Sequence, residues 1–142
     1  MRLPEQRLYD WVARRIGHVA QLTRVENKVG RDTPDLFVAH PQWCGWVELK
    51  AIADWPVQAK TRIRVGHWTS GQRWWATRHL ERGGRCALVI EFVSTGEIFV
   101  FRAGAVALQL DAWNRAEWEL HALWWGNRNA TSQEILDALA QV

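Results

Sequence analysis

Thr33-Pro34-Asp35-Leu36-Phe37-Val38, followed by Val47-Glu48-Leu49-Lys50, is the stretch on which the fold turns. Asp35 opens one short apolar run. Glu48 and Lys50, one residue apart, close the next. The two runs predict strands over Asp35–Ala39 and Cys44–Ala51, joined by the loop His40-Pro41-Gln42-Trp43, a common hairpin length. Side chains i and i+2 of a strand share a face. Glu48 and Lys50 therefore point one way, and Val47, Leu49 and Ala51 point the other way, into a core. If Ala39 pairs with Cys44, Asp35 falls directly opposite Glu48. Such pairs have Cβ atoms roughly 4.5–5.5 Å apart. Two bare carboxylates that close repel each other, and a shared hard cation such as Mg²⁺ removes the conflict.

This arrangement resembles the PD-(D/E)xK nuclease superfamily, and within it the small phage and bacterial nucleases of the VRR-NUC and Holliday-junction-resolvase type. The likeness runs from about Glu5 to Val93. It rests on Pro34-Asp35, on Glu48-x-Lys50, and on Thr69-Ser70-Gly71-Gln72 opening the next helix. The resemblance implies a restriction-endonuclease-like α-β-β-β-α-β core. It also implies an Mg²⁺-dependent DNA endonuclease, with Mn²⁺ expected to substitute, acting on branched or structured DNA such as four-way junctions. Asp35, Glu48 and the Leu49 carbonyl then bind metal, Lys50 assists the attacking water, and Gln72 lies beside the site. Two alternatives stand beside this reading. One is a non-specific nickase or exonuclease. The other is a non-catalytic nucleic-acid-binding module on the same fold, against which the intact Asp/Glu/Lys set speaks. A third alternative takes the Trp and Arg richness as a protein-interaction surface, with the acidic pair accidental.

Each residue also has an ordinary explanation. Asp is common in turns after Pro. Glu48 and Lys50 alone suit the solvated face of an edge strand. Glu5 suits a helix N-terminus through the macrodipole, yet it shares a helical stripe with Leu8 and Val12 that faces the sheet. Related resolvase-like nucleases carry a Glu in the first helix that completes the metal site. Glu5 is therefore favoured as a third carboxylate over Glu26, which precedes the turn after the first strand. Gln72 fits a capping box with Thr69. Arg31, Lys60, Arg62, Arg64 and Arg73 cluster before and after the proposed site. They are assigned to DNA phosphates in preference to plain surface, with His67 as a weaker candidate.

The 142-residue chain suits a single domain with a real core, a nuclease core over about 1–102 and a C-terminal extension over about 103–142. A 48% hydrophobic and 23% charged composition is globular rather than disordered. A net charge of +3 permits a polyanionic partner. No apolar run is long enough to span a membrane, and the N-terminus lacks a signal-peptide pattern. The expectation is a cytoplasmic protein of a bacterium or a phage-infected cell. Cys44 and Cys86 lack metal-site spacing and read as buried, reduced thiols. A two-fold substrate suits a homodimer, although nothing in the composition shows one. Of 11 Trp residues, Trp11, Trp46, Trp74 or Trp75, and Trp118 fall in periodic elements and should pack. Trp55 and Trp68 flank a polar loop and are candidates for ligand contact.

Periodicity and end signals predict further elements. A helix runs over Pro4–Ile16, with Pro in its first turn, and a weakly alternating strand over Gln21–Asn27. Arg62–Val65 alternates as a short strand or arm. A helix runs from Thr69 to about Arg82 and stops at Gly83-Gly84. Strands follow over Cys86–Val93 and Ile98–Arg102, with Ser94–Glu97 as the turn. Either a helix over Ala112–Leu123 or a strand over Leu120–Trp125 fits the next stretch. A last helix opens at the Thr131-x-x-Glu134 capping box, with Ile135, Leu136 and Leu139 inward. This order predicts an α/β protein with a mixed central sheet and helices on its faces.

Overall fold

Cys86–Phe92 is apolar except for Glu91, and it forms a strand buried at every position. A strand covered on both faces needs helices above and below it. The computed structural model describes residues 3–25 and 32–142 and has that layout. The elements are α1 (Pro4–Ile16), β1 (Gln21–Arg24), β2 (Leu36–His40), β3 (Trp43–Ile52), α2 (Ser70–Glu81), β4 (Cys86–Phe92) and β5 (Glu97–Arg102). They continue through α3 (Ala103–Val106), a 3-10 turn at Leu110–Ala112, α4 (Arg115–His121), β6 (Trp124–Asn127) and α5 (Ser132–Ala140). The six strands lie in sequence order across one sheet. Neighbours are antiparallel except β3 and β4, which are parallel. The parallel pair follows from the long connection through α2, since a tight hairpin yields only antiparallel strands. The protein is thus α/β, a mixed sheet with flanking helices.

Strand alternation divides the core into two layers. On one face, Leu8, Val12 and Ile16 of α1 and Ile135 and Leu139 of α5 pack with Val47, Leu49 and Val89 of the sheet. On the other, Ala76 of α2 and Trp118 of α4 pack with Leu88, Ile90, Phe99 and Phe101. Trp118 meets the rings of Phe92, Phe99 and Phe101 edge-on at 5.2–5.6 Å. Its indole N–H donates to the Leu110 carbonyl at 3.3 Å, so the large ring is buried without an orphaned donor. No helix among the described residues is long and apolar enough to cross a membrane.

Several expectations change. The β2–β3 turn is tighter than the four-residue loop expected: His40 pairs with Trp43, which leaves Pro41 and Gln42 at the tip. The two rings stack at 5.5 Å, and His40 Nδ1 accepts the Gln42 N–H at 3.2 Å. The register is the expected one, with Ala39 opposite Cys44. β1 ends at Arg24 rather than Asn27. Arg62–Val65 joins no strand. It is an extended strap with Ile63 and Val65 buried, held by Ile63 N–H to the Trp113 carbonyl at 2.9 Å and Val65 N–H to Asp111 Oδ1 at 3.0 Å. Cys44 is exposed rather than buried, because its side of β3 runs past the covering helices near the hairpin tip. Cys86 is buried, and burial pushes its thiol pKa up. The segment after Arg102 supplies β6, Trp118 and α5, so the sheet and both core layers include it.

Candidate active site

The last β2–β3 ladder pair is Leu36 with Val47. One step further sets Asp35 across from Glu48, and two steps set Pro34 across from Leu49. Trp46 N–H donates to the Arg85 carbonyl ahead of β4, so alternation aims the Leu49 amide and carbonyl toward β2. Pro34 has no amide hydrogen to offer that carbonyl. Asp35 Oδ2 takes the Leu49 N–H instead, at 3.0 Å. The ladder thus ends in a carboxylate. A backbone carbonyl faces the same place, with no Pro34 donor to satisfy it.

Glu48 and Lys50 follow the parity of Trp46 and face the α2 side, opposite Val47 and Leu49. They are only 2% and 5% exposed. Lys50 Nζ lies 3.1 Å from Glu48 Oε1 and donates to the His67 carbonyl at 2.8 Å. Despite that ion pair, Glu48 Oε1 is buried with no directed hydrogen bond. The Glu48 carboxyl is pushed up from 4.5 to about 7, first by burial, then by the Asp35 charge. Lys50 opposes the shift, and the Glu5 charge adds the smallest increment.

These donors suit a hard divalent cation. They are two carboxylates and a carbonyl, with one buried carboxylate oxygen underused. Among the described residues no three His, Cys, Asp or Glu side chains converge to hold an ion. Mg²⁺ needs no such cage. It keeps several waters and is commonly held by one or two carboxylates together with substrate phosphate.

Glu5 comes to the end of β3 from α1, and its charge acts on Glu48. Leu8 and Val12 pack on the face with Val47 and Leu49, so α1 approaches from the far side of the sheet. Glu5 lines a groove of about 430 Å³ with Leu3, Pro4, Gln6, Arg24, Ala51 and His67. A recess of about 160 Å³, lined by residues including Lys50, Arg64 and His67, shares Ala51 and His67 with it. The two hollows together run past the end of β3. Glu26 and Arg31 lie outside the described residues.

The other candidates divide. Gln72 Oε1 accepts the Thr69 N–H at 2.9 Å, and its own N–H donates to Thr69 Oγ1 at 3.2 Å. This is the capping box. Arg62 and Arg64 are exposed on one side of the strap. Lys60 is exposed but lines neither hollow. Arg73 is corrected from phosphate contact to internal brace. Its guanidinium donates to the carbonyls of Trp68, Ala107 and Val65 at 2.9–3.2 Å and pairs with Asp111 at 2.9 Å. Trp68 is corrected too, whereas Trp55 is half-buried and lines an open hollow of about 180 Å³. Trp68 is buried beneath Arg73. Trp55 stacks on Phe92 at 3.6 Å, with the Arg115 guanidinium 4.1 Å from its ring centre.

Two features escaped the sequence. Arg24 lines the groove beside Glu5, with its guanidinium 4.7 Å from the Tyr9 ring centre. The poor alternation of β1 hid its direction. Gly71 is the second: any Cβ there would collide with the Asp32 carboxylate. The start of α2 therefore sits against the turn that leads into Asp35. No protein-family model matches the chain, and no curated protein matches it.

Proposed function

We propose that the protein is a metal-dependent DNA endonuclease of the PD-(D/E)xK type, on a restriction-endonuclease-like core formed by α1 through β4. The observation that carries this reading is the hairpin register. Continued one residue past its last pair, Leu36 with Val47, it brings Asp35 opposite a buried Glu48 whose Oε1 has no directed hydrogen bond, with Lys50 beside it. The antiparallel β1–β2–β3 run followed by a parallel β4 supports the core assignment.

Asp35, Glu48 and the Leu49 carbonyl would hold Mg²⁺, or Mn²⁺ in its place. Bound there, the ion supplies a Lewis acid for the phosphate and a more acidic water. Lys50 would orient that water and offset charge building on phosphorus. Arg62 and Arg64 project together and suit the DNA backbone, which gives affinity without sequence readout. The family resemblance favours branched DNA, and a two-fold substrate of that kind would suit a homodimer.

The test is incubation with linear, nicked, flapped and four-way DNA, in Mg²⁺ or EDTA. Cleavage in Mg²⁺ alone is expected, with Asp35→Asn and Glu48→Gln each inactive yet folded. Full cleavage by either variant would remove the site assignment. Binding without cleavage in Mg²⁺ or Mn²⁺ would leave a nucleic-acid-binding module.

A further inference from the structure

The outward side of α2 carries a feature that the proposed catalytic site does not use. Trp75 packs on Trp46 at 5.9 Å, but Trp74 is 57% exposed. The exposed positions of this helix and its cap are Ser70, Trp74, Arg78, Glu81 and Arg82. Spacing of four sets Trp74, Arg78 and Arg82 on one stripe, spanning about 12 Å along the axis. The Arg78 guanidinium lies 6.0 Å from the Trp74 ring centre. Beside the stripe, Trp75, Arg78, His79 and Arg82 line a shallow recess of about 280 Å³. Its wall is the Trp75–His79 ring stack at 4.6 Å. Among the described residues no carboxylate pairs with Arg78 or Arg82.

We propose that this face of α2 is a second binding site, for a single-stranded segment of DNA. Trp74 is the platform on which an unpaired base stacks, and Arg78 and Arg82, further along the same stripe, contact successive phosphates to one side of it. The choice of DNA as occupant rests on the nuclease reading. The choice of single strand rests on the side chains, because an exposed aromatic face followed along the helix by two guanidinium groups without a carboxylate partner matches a base and its phosphates. A protein interface would centre on a wider apolar patch, and Trp74 is the one large apolar side chain exposed on α2. The helix begins beside the proposed catalytic turn, with Gly71 against Asp32. The stripe thus starts at the end of α2 that adjoins the proposed site. Such a surface selects flapped or gapped DNA over a continuous duplex.

The experiment is fluorescence anisotropy with a labelled oligothymidine about 15 nucleotides long, in EDTA. Trp74→Ala should weaken binding about tenfold, the scale of one lost base stack, and Trp74→Phe should recover most of it. Arg78→Ala and Arg82→Ala should each flatten the log–log salt slope by about 0.7. Wild-type affinity in all of these variants would overturn the proposal. So would loss of self-association in Trp74→Ala, by light scattering, with oligothymidine binding unchanged; the face would then be a dimer contact. Cleavage of paired duplex in Mg²⁺ is scored separately. Trp74-dependent binding without any cleavage would retain this site and sink the nuclease reading, while cleavage with Trp74-independent binding would do the reverse.

Discussion

Glu48 gives up its proton near pH 7 in the folded chain and near 4.5 when unfolded. Between those values the folded state holds the extra proton, so stability falls as pH rises. Below 4.5 both states are protonated and the effect vanishes; above 7 it is fully present. The slope is about 1.4 kcal/mol per pH unit, which makes a total of about 3 kcal/mol. That equals the gain from burying about one or two large apolar side chains. On the proposed metal-binding reading, a cation held by Glu48 would offset this cost. Metal-free Glu48→Gln should therefore be more stable than wild type by about 1–3 kcal/mol at pH 8, with little difference at pH 4.5. Mg²⁺ should raise the wild-type melting temperature at pH 8 and leave the variant's unmoved. A variant less stable than wild type at pH 8 would mean that Lys50 already compensates the charge.

Among the elements, the strap between β3 and α2 shows how alternation sorts neighbouring cations. Arg62 and Arg64 face water because Ile63 and Val65, alternating with them, are buried. Arg73, one helical turn into α2, ties that strap to the residues after α3. Charge alone does not separate these roles; the local partners do. Replacing Arg62 and Arg64 together by Ala should flatten the salt dependence of DNA binding by about one to two phosphate equivalents, with urea stability unchanged. Arg73→Ala should show the opposite pattern. It should lose about 2–4 kcal/mol in urea denaturation, since bonds to a charged group are among the stronger ones, and keep the wild-type salt slope. An Arg73→Ala protein of full stability with a flattened slope would return that residue to the DNA surface.

Across the whole molecule, one ion pair, buried at its carboxylate end, ties the chain's later segment to its beginning. Glu91, in the innermost strand, is 2% exposed. Arg128, just beyond β6, grips both of its carboxylate oxygens, at 2.5 and 2.8 Å. The Arg128 carbonyl in turn accepts the Trp11 indole N–H at 3.0 Å and Arg15 Nη2 at 2.8 Å, both from α1. α1 is thereby held against the sheet, and with it the Glu5 bank of the groove. Arg128→Ala strands a buried carboxylate and should cost about 3 kcal/mol. Glu91→Gln in that background should recover much of the loss. A cost below about 1 kcal/mol in urea would show that solvent reaches Glu91 and that the tie is dispensable.

The sequence by itself determined the parts governed by local spacing. Pro4 and the Leu8–Val12–Ile16 stripe marked α1. The Thr69–Gln72 box and Gly83 marked the ends of α2. Hairpin parity carried Asp35 to Glu48, because a one-residue slip would have turned every apolar side chain of β3 to the wrong face. Periods of 2 and 3.6 state which side chains share a face, but not what covers that face. Only the tertiary structure decided that Trp68 lies under Arg73 while Trp74 stands in solvent, that Cys44 is uncovered, and that Glu5 and Glu48 approach from opposite sides of the sheet. The stretch read as either a helix over 112–123 or a strand over 120–125 holds both, α4 at Arg115–His121 and then β6 at Trp124–Asn127 paired with β5. The protonation of Glu48 belongs to the same class. It depends on burial by residues far apart in the chain and on Asp35 across the hairpin, so it exists only once the sheet and its helices have closed around it.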